Sequence, residues 1–121
     1  DRQWVADEGL DADRLAGVVS LAGPADFYPF DKESSINSFG QAPDPQATQP
    51  VNFARADAPP LLLVHGDKDG TGTIKRDMLL WSKIDANAEY HVIPDAGHNA
   101  NQDNPQVMND LLLAFLRAHI G

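Results

Sequence analysis

Three apolar segments separated by amphipathic ones predict an α/β fold, with three parallel strands, flanking helices and an irregular excursion at about residues 31–58. Three observations lead there. The second apolar segment, "LLLVHG", follows Pro59 and Pro60, which block a helix at that point. The first and second segments are apolar on both faces, as strands in a sheet covered by helices are. The order strand, excursion, strand, helix, strand, helix is the one in which crossover connections join parallel strands.

Each element has its own signal. Near the N-terminus "DADRLAG" reads as a turn that closes a short helix. "LAGVVSL", Leu15–Leu21, is the first strand, β-branched and apolar, closed by "AGPAD". "DKESSINSFGQAPDPQATQPVNFARADA", residues 31–58, is rich in Pro, Ser, Gln and Asp. It predicts an irregular path with one helical turn, long enough to be functional rather than a mere connector. "TIKRDMLLWSKIDAN" places Ile74, Met78, Trp81 and Ile84 on one helical stripe, with Lys75, Arg76 and Asp77 off it. The third strand, "AEYHVIP" at Ala88–Pro94, sets Tyr90, Val92 and Pro94 against Glu89, His91 and Ile93. The last helix starts with Asn104 as N-cap and Pro105 at its first position, and Gly121 ends it. Its stripe is Val107, Met108, Leu111, Leu112, Phe115 and Leu116. The first strand keeps an apolar edge for which these segments supply no neighbour.

The chain has 121 residues, enough for one domain with a single core, and its 42% apolar content excludes wholesale disorder. No apolar run reaches the length of a membrane span. The chain begins at Asp1 without a signal-peptide pattern, which is compatible with a processed or truncated start. With no cysteine, disulfides, thiolate metal sites and a Cys nucleophile drop out together. A net charge of −9 with scattered Lys and Arg argues against nucleic acid as a partner.

The stretch "HGDKDGTGTIKRDM", His65–Met78, supports two incompatible readings. As a calcium loop it offers Asp67, Asp69 and Thr71, but its twelfth position is Met78 where a bidentate Glu belongs. The loop should also follow a helix, and "PPLLLVHG" is no helix. As a strand-end turn, Gly66 lets the chain turn sharply and Asp69 is displayed at the rim. Catalytic groups of open α/β sheets collect at the carboxyl ends of strands. The next strand ends in "IPDAGHN", which brings His98 to the same rim. An Asp that accepts the Nδ1 proton of such a His fixes its tautomer and orients it as a general base.

"APPLLLVHGDKD", "IPDAGHN" and the closing amphipathic helix together resemble the C-terminal part of an α/β-hydrolase of the carboxylesterase/lipase type. "AGVVSLAGPADFYPF" and "QPVNFARADAPP" resemble the corresponding segments, so the likeness runs from about Gly9 to Gly121. It implies that Asp69 is the acid and His98 the base of a Ser-His-Asp triad, with Asp26 as a structural turn aspartate. It implies that residues 1–121 are one segment of a hydrolase domain. The nucleophile lies in G-x-S-x-G on an elbow that precedes this segment in the family. None of Ser20, Ser34, Ser35, Ser38 and Ser82 occupies that pattern, and an HGGG-type oxyanion loop is absent from the sequence. "GTGT" follows Asp69 where the family often carries apolar residues and a proline.

The resulting expectation is a carboxylic-ester hydrolase segment that supplies Asp69 and His98. Its partners are a small-molecule ester and an N-terminal part bearing the nucleophile, and it needs no cofactor. Phe27, Tyr28 and Phe30, three aromatics after a strand end, are candidates to wall the substrate pocket. The alternatives are a non-catalytic binding module of the same fold and a small calcium-binding module through Asp67, Asp69 and Thr71. His65 is expected to be structural, His91 a surface side chain, and His119 a helix-terminal residue suited to the dipole. His65, His91 and His98 lack zinc-ligand spacing. Met78 and Trp81 read as core, and Asp95 as a turn residue.

Overall fold

The computed structural model describes residues 2–120, apart from the side chain of Trp4. The elements, in chain order, are α1 (Arg2–Asp7), β1 (Val18–Leu21), α2 (Glu33–Phe39), β2 (Leu61–Gly66), α3 (Ile74–Ile84), β3 (Ala88–Ile93), α4 (Ala100–Asp103) and α5 (Pro105–His119). Short 3-10 turns at Ala12–Arg14, Gln46–Thr48 and Pro50–Phe53 fill the connections. The three strands form one parallel sheet in the order β1-β2-β3.

β2 lies in the middle, and all six of its residues are buried. Alternation along a strand sends successive side chains to opposite faces, and here each face has its own helix. Leu62 and Val64 join Ile93, Met108 and Phe115 under α5. Leu61 and Leu63 join Ile74 and Met78 under α3. The expected covered sheet is therefore present at β2. It is not present at β1, where Val18, Val19 and Leu21 are 42%, 37% and 46% exposed. No further strand flanks β1 among the described residues. β1 is also shorter than expected, starting at Val18, and Leu15 belongs to the loop before it.

The structure corrects two helical stripes and one strand pattern. In α3 the sheet-facing line runs Ile74, Met78, Trp81 and then Asp85, so Ile84 is turned to solvent at 54% exposure. Asp85 is buried there, accepting hydrogen bonds from Trp81 Nε1 and the Asn87 N–H. Asp77, expected off the stripe, is fully buried because its carboxylate meets Thr73 Oγ1 and the Arg76 guanidinium. In α5, Met108, Leu111, Leu112 and Phe115 pack inward while Val107 and Leu116 lie exposed at the margins. The N-terminus of α5 is as expected: Asn104 Oδ1 accepts the Val107 N–H and Pro105 occupies the first turn. The expected stop at Gly121 lies outside the described residues. In β3 the alternation of burial holds as far as His91 and breaks at Val92, which is exposed, while Ile93 is buried on the α5 face.

The excursion has more order than one helical turn. α2 spans seven residues, and the two 3-10 turns carry the chain back to β2. Gln49, fully buried, accepts the Phe27 N–H at 2.7 Å through Oε1, and the Val51 N–H binds the Ala25 carbonyl at 3.0 Å. These two bonds tie the far end of the excursion to the loop that leaves β1.

Candidate active site

β2 ends at Gly66 and β3 at Ile93, paired residues in the parallel register, so the loops that follow leave the sheet side by side. Their approach is close. A Cβ on Gly66 would lie 2.1 Å from the Ala96 carbonyl oxygen and 2.3 Å from that of Gly97. Gly66 does not have a positive φ, so close approach of the neighbouring loop is what demands glycine there.

Asp69 and His98 meet across these loops. His98 Nδ1 is 3.0 Å from Asp69 Oδ2, and Asp69 Oδ1 accepts the Thr71 N–H at 2.8 Å. Burial pushes the Asp69 carboxyl up. The Thr71 N–H, the His98 ring and the Thr71 hydroxyl outweigh it, so the net shift is downward from 3.8. An ionised carboxylate only accepts, so the ring nitrogen facing it carries a proton, and in the neutral ring Nε2 is then the one with a free lone pair. The side chain of Asp69 is fully buried, whereas that of His98 is 48% exposed. Nε2 has no protein partner among the described residues.

His98 lines a cavity of about 710 Å³ at this end of the strands. Phe27 and Tyr28 lie on the same wall; Phe30 does not, packing behind them with ring centroids 5.7 Å and 5.3 Å away. Phe39 of α2, which the sequence reading missed, completes the aromatic group and lines the cavity. Ser35 and Arg76 line it too. The Arg76 guanidinium is held by the buried Asp77 carboxylate, Nε at 2.8 Å from Oδ1. Asp26 borders the cavity as well. Phe39 carried a weak signal in "INSFG", an apolar residue at helical spacing from Ile36; Arg76 carried none beyond its charge. A smaller cavity of about 360 Å³ lies at the opposite end of the strands, near Val18, Leu61 and Trp81.

The residues of the calcium reading point elsewhere. Asp67 Oδ1 accepts the Ala96 N–H at 3.0 Å, and both Asp69 oxygens are engaged as above. Among the described residues no group of three or more His, Asp or Glu side chains converges as metal ligands would. His65 is buried, its Nδ1 donating to the Gly66 carbonyl at 2.8 Å and its Nε2 accepting from the Tyr90 hydroxyl at 2.6 Å. His91 lies exposed, 3.9 Å from Glu89, and His119 sits 3.2 Å from the other oxygen of Glu89. Asp95 pairs with Lys68 at 2.8 Å and has φ 54, a turn conformation. Compared with known proteins, the chain matches no family model, no curated protein and no solved structure.

Proposed function

We propose that this chain is the acid- and base-bearing segment of a serine-dependent carboxylic-ester hydrolase of the α/β-hydrolase type. The observation that carries the reading is the 3.0 Å Asp69–His98 contact, with the acid buried and the base facing a cavity. In this mechanism His98 Nε2 removes the proton of a serine hydroxyl as its oxygen attacks the ester carbonyl. Asp69 stabilises the imidazolium that forms. His98 then returns the proton to the departing alcohol, and a water activated by the same nitrogen hydrolyses the acyl-enzyme. Phe27, Tyr28 and Phe39 face the apolar part of the ester. The serine and its oxyanion donors belong to a separate N-terminal part, because no serine of this chain stands in G-x-S-x-G.

Purified alone, the 121-residue chain should hydrolyse p-nitrophenyl esters no faster than buffer. Joined to an upstream segment that contains the elbow serine, it should turn them over. In that enzyme Asp69→Asn should lower kcat by roughly ten-thousandfold through the wrong tautomer. Turnover by the joined chain that survives both Asp69→Asn and His98→Ala would refute the proposal.

A further inference from the structure

Five hydrogen bonds fix the backbone between Ile93 and His98. Two come from the β2 loop's own N–H groups: Asp67 to the Ile93 carbonyl and Lys68 to the Ala96 carbonyl, both 2.9 Å. A third runs from Asn104 Nδ2 to the Pro94 carbonyl at 3.0 Å. The other two are of a different kind, because their acceptors are carboxylates. Asp67 Oδ1 accepts the Ala96 N–H at 3.0 Å, and Asp103 Oδ2 accepts the Gly97 N–H at 2.8 Å. The two residues immediately before His98 are thus gripped by one carboxylate each, one from the β2 loop and one from the end of α4.

From this geometry we propose that Asp67 and Asp103 are positioning residues that set the His98 ring against Asp69, a role that rests on the acid–base reading above. Neither carboxylate lines the cavity that His98 faces, so both act through the loop rather than on a substrate. Charge-assisted hydrogen bonds are about twice as strong as neutral ones, which suits them to a loop that contains a glycine beside the base. Glycine at 97 has more accessible backbone conformations than any other residue type, just before the residue that must be aimed. The Asp67 carboxyl is held below its usual 3.8 chiefly by the Ala96 N–H, so this grip is fully formed at neutral pH.

The test uses the intact chain and reads His98 without requiring activity. Ring 15N shifts above pH 7 should show a single Nδ1–H tautomer, and the Ala96 and Gly97 amides should exchange slowly. Asp67→Ala and Asp103→Ala should speed exchange of their respective amides by roughly tenfold to hundredfold. Each should also convert His98 to a mixture of tautomers. Asp67→Asn and Asp103→Asn keep an acceptor oxygen and should restore the single form. Folded Ala variants in which His98 keeps one tautomer would overturn the proposal. Where an Ala variant does not fold, the unaltered chain decides: protected Ala96 and Gly97 amides support the grip, and open-loop exchange rates overturn it. A tautomer mixture already present in the unaltered chain would instead remove the Asp69–His98 pairing, and the proposal with it, which separates that failure from a failure of the grip.

Discussion

Asp69 and His98 differ in exposure: the carboxylate is sealed and the imidazole is open. Burial alone would raise the Asp69 pKa, but the hydrogen bonds from Thr71 and His98 outweigh it and hold the folded-state value below the usual 3.8, so the folded chain binds fewer protons there than the unfolded one. The stabilisation is complete above that value and is lost as pH falls through the folded-state pKa. Asp67 acts in the same direction. Urea midpoints should therefore be flat from neutrality to about pH 5 and fall steeply below 3.8, with a shallower fall in Asp69→Asn. At neutral pH the same substitution loses a charge-assisted bond and should cost about 1.5–3 kcal/mol in urea unfolding. Tyr90→Phe tests a second pair, because it strips the buried His65 Nε2 of its donor, and a loss of about 1–3 kcal/mol is expected. Burial raises the Tyr90 phenol above its ordinary 10.0, which keeps that donor protonated throughout. That Asp69 and His98 meet was legible in the sequence, since each follows a recognisable strand. The Tyr90–His65 bond was not, because pairing between side chains of adjacent strands depends on register, and one sequence does not state it.

At the level of elements, the decisive contact is between two loops. The sequence suggested glycine at 66 as the means of a sharp turn; the structure assigns it to the Ala96 and Gly97 carbonyls pressing against its Cα. Gly66→Ala should destabilise by about 3 kcal/mol and separate Asp69 from His98, measured by urea melts and by the His98 ring shifts. Gly70→Ala is the matching control. Its Cβ meets nothing within 4 Å and its φ is not positive, so the variant should stay within about 0.5 kcal/mol. Millimolar calcium should leave the melting temperature unchanged, because Asp67 and Asp69 already serve other donors; a rise would restore the ion-binding alternative. Helix limits were readable wherever caps announce them, as at Asn104 and Pro105. Helix faces were less so: Asp77 is buried because one threonine and one arginine satisfy it, a condition no hydrophobic stripe reveals.

Across the whole molecule the parallel sheet and its two helical covers were predictable from apolar runs and their spacing, yet the two sides of the sheet are unequal. β2 is enclosed, while β1 presents Val18, Val19 and Leu21 to solvent on an open edge. Such edges recruit other strands. The purified chain should self-associate as concentration rises, and Val19→Lys with Leu21→Lys should suppress this in sedimentation velocity at a cost below about 1 kcal/mol. Association that persists unchanged in the double variant would place the sticky surface elsewhere. Burial at strand one could not be read from its composition, because an apolar strand is enclosed only where something packs on it.

Gln49 gives the irregular segment a mechanical meaning. Its side chain and the Val51 amide fasten that segment to Ala25 and Phe27, so the aromatic panel facing His98 has a remote anchor more than twenty positions along the chain. Reshaping the panel therefore need not touch a ring: a change at this fastening would tilt Phe27 from behind and leave the Asp69–His98 contact where it stands.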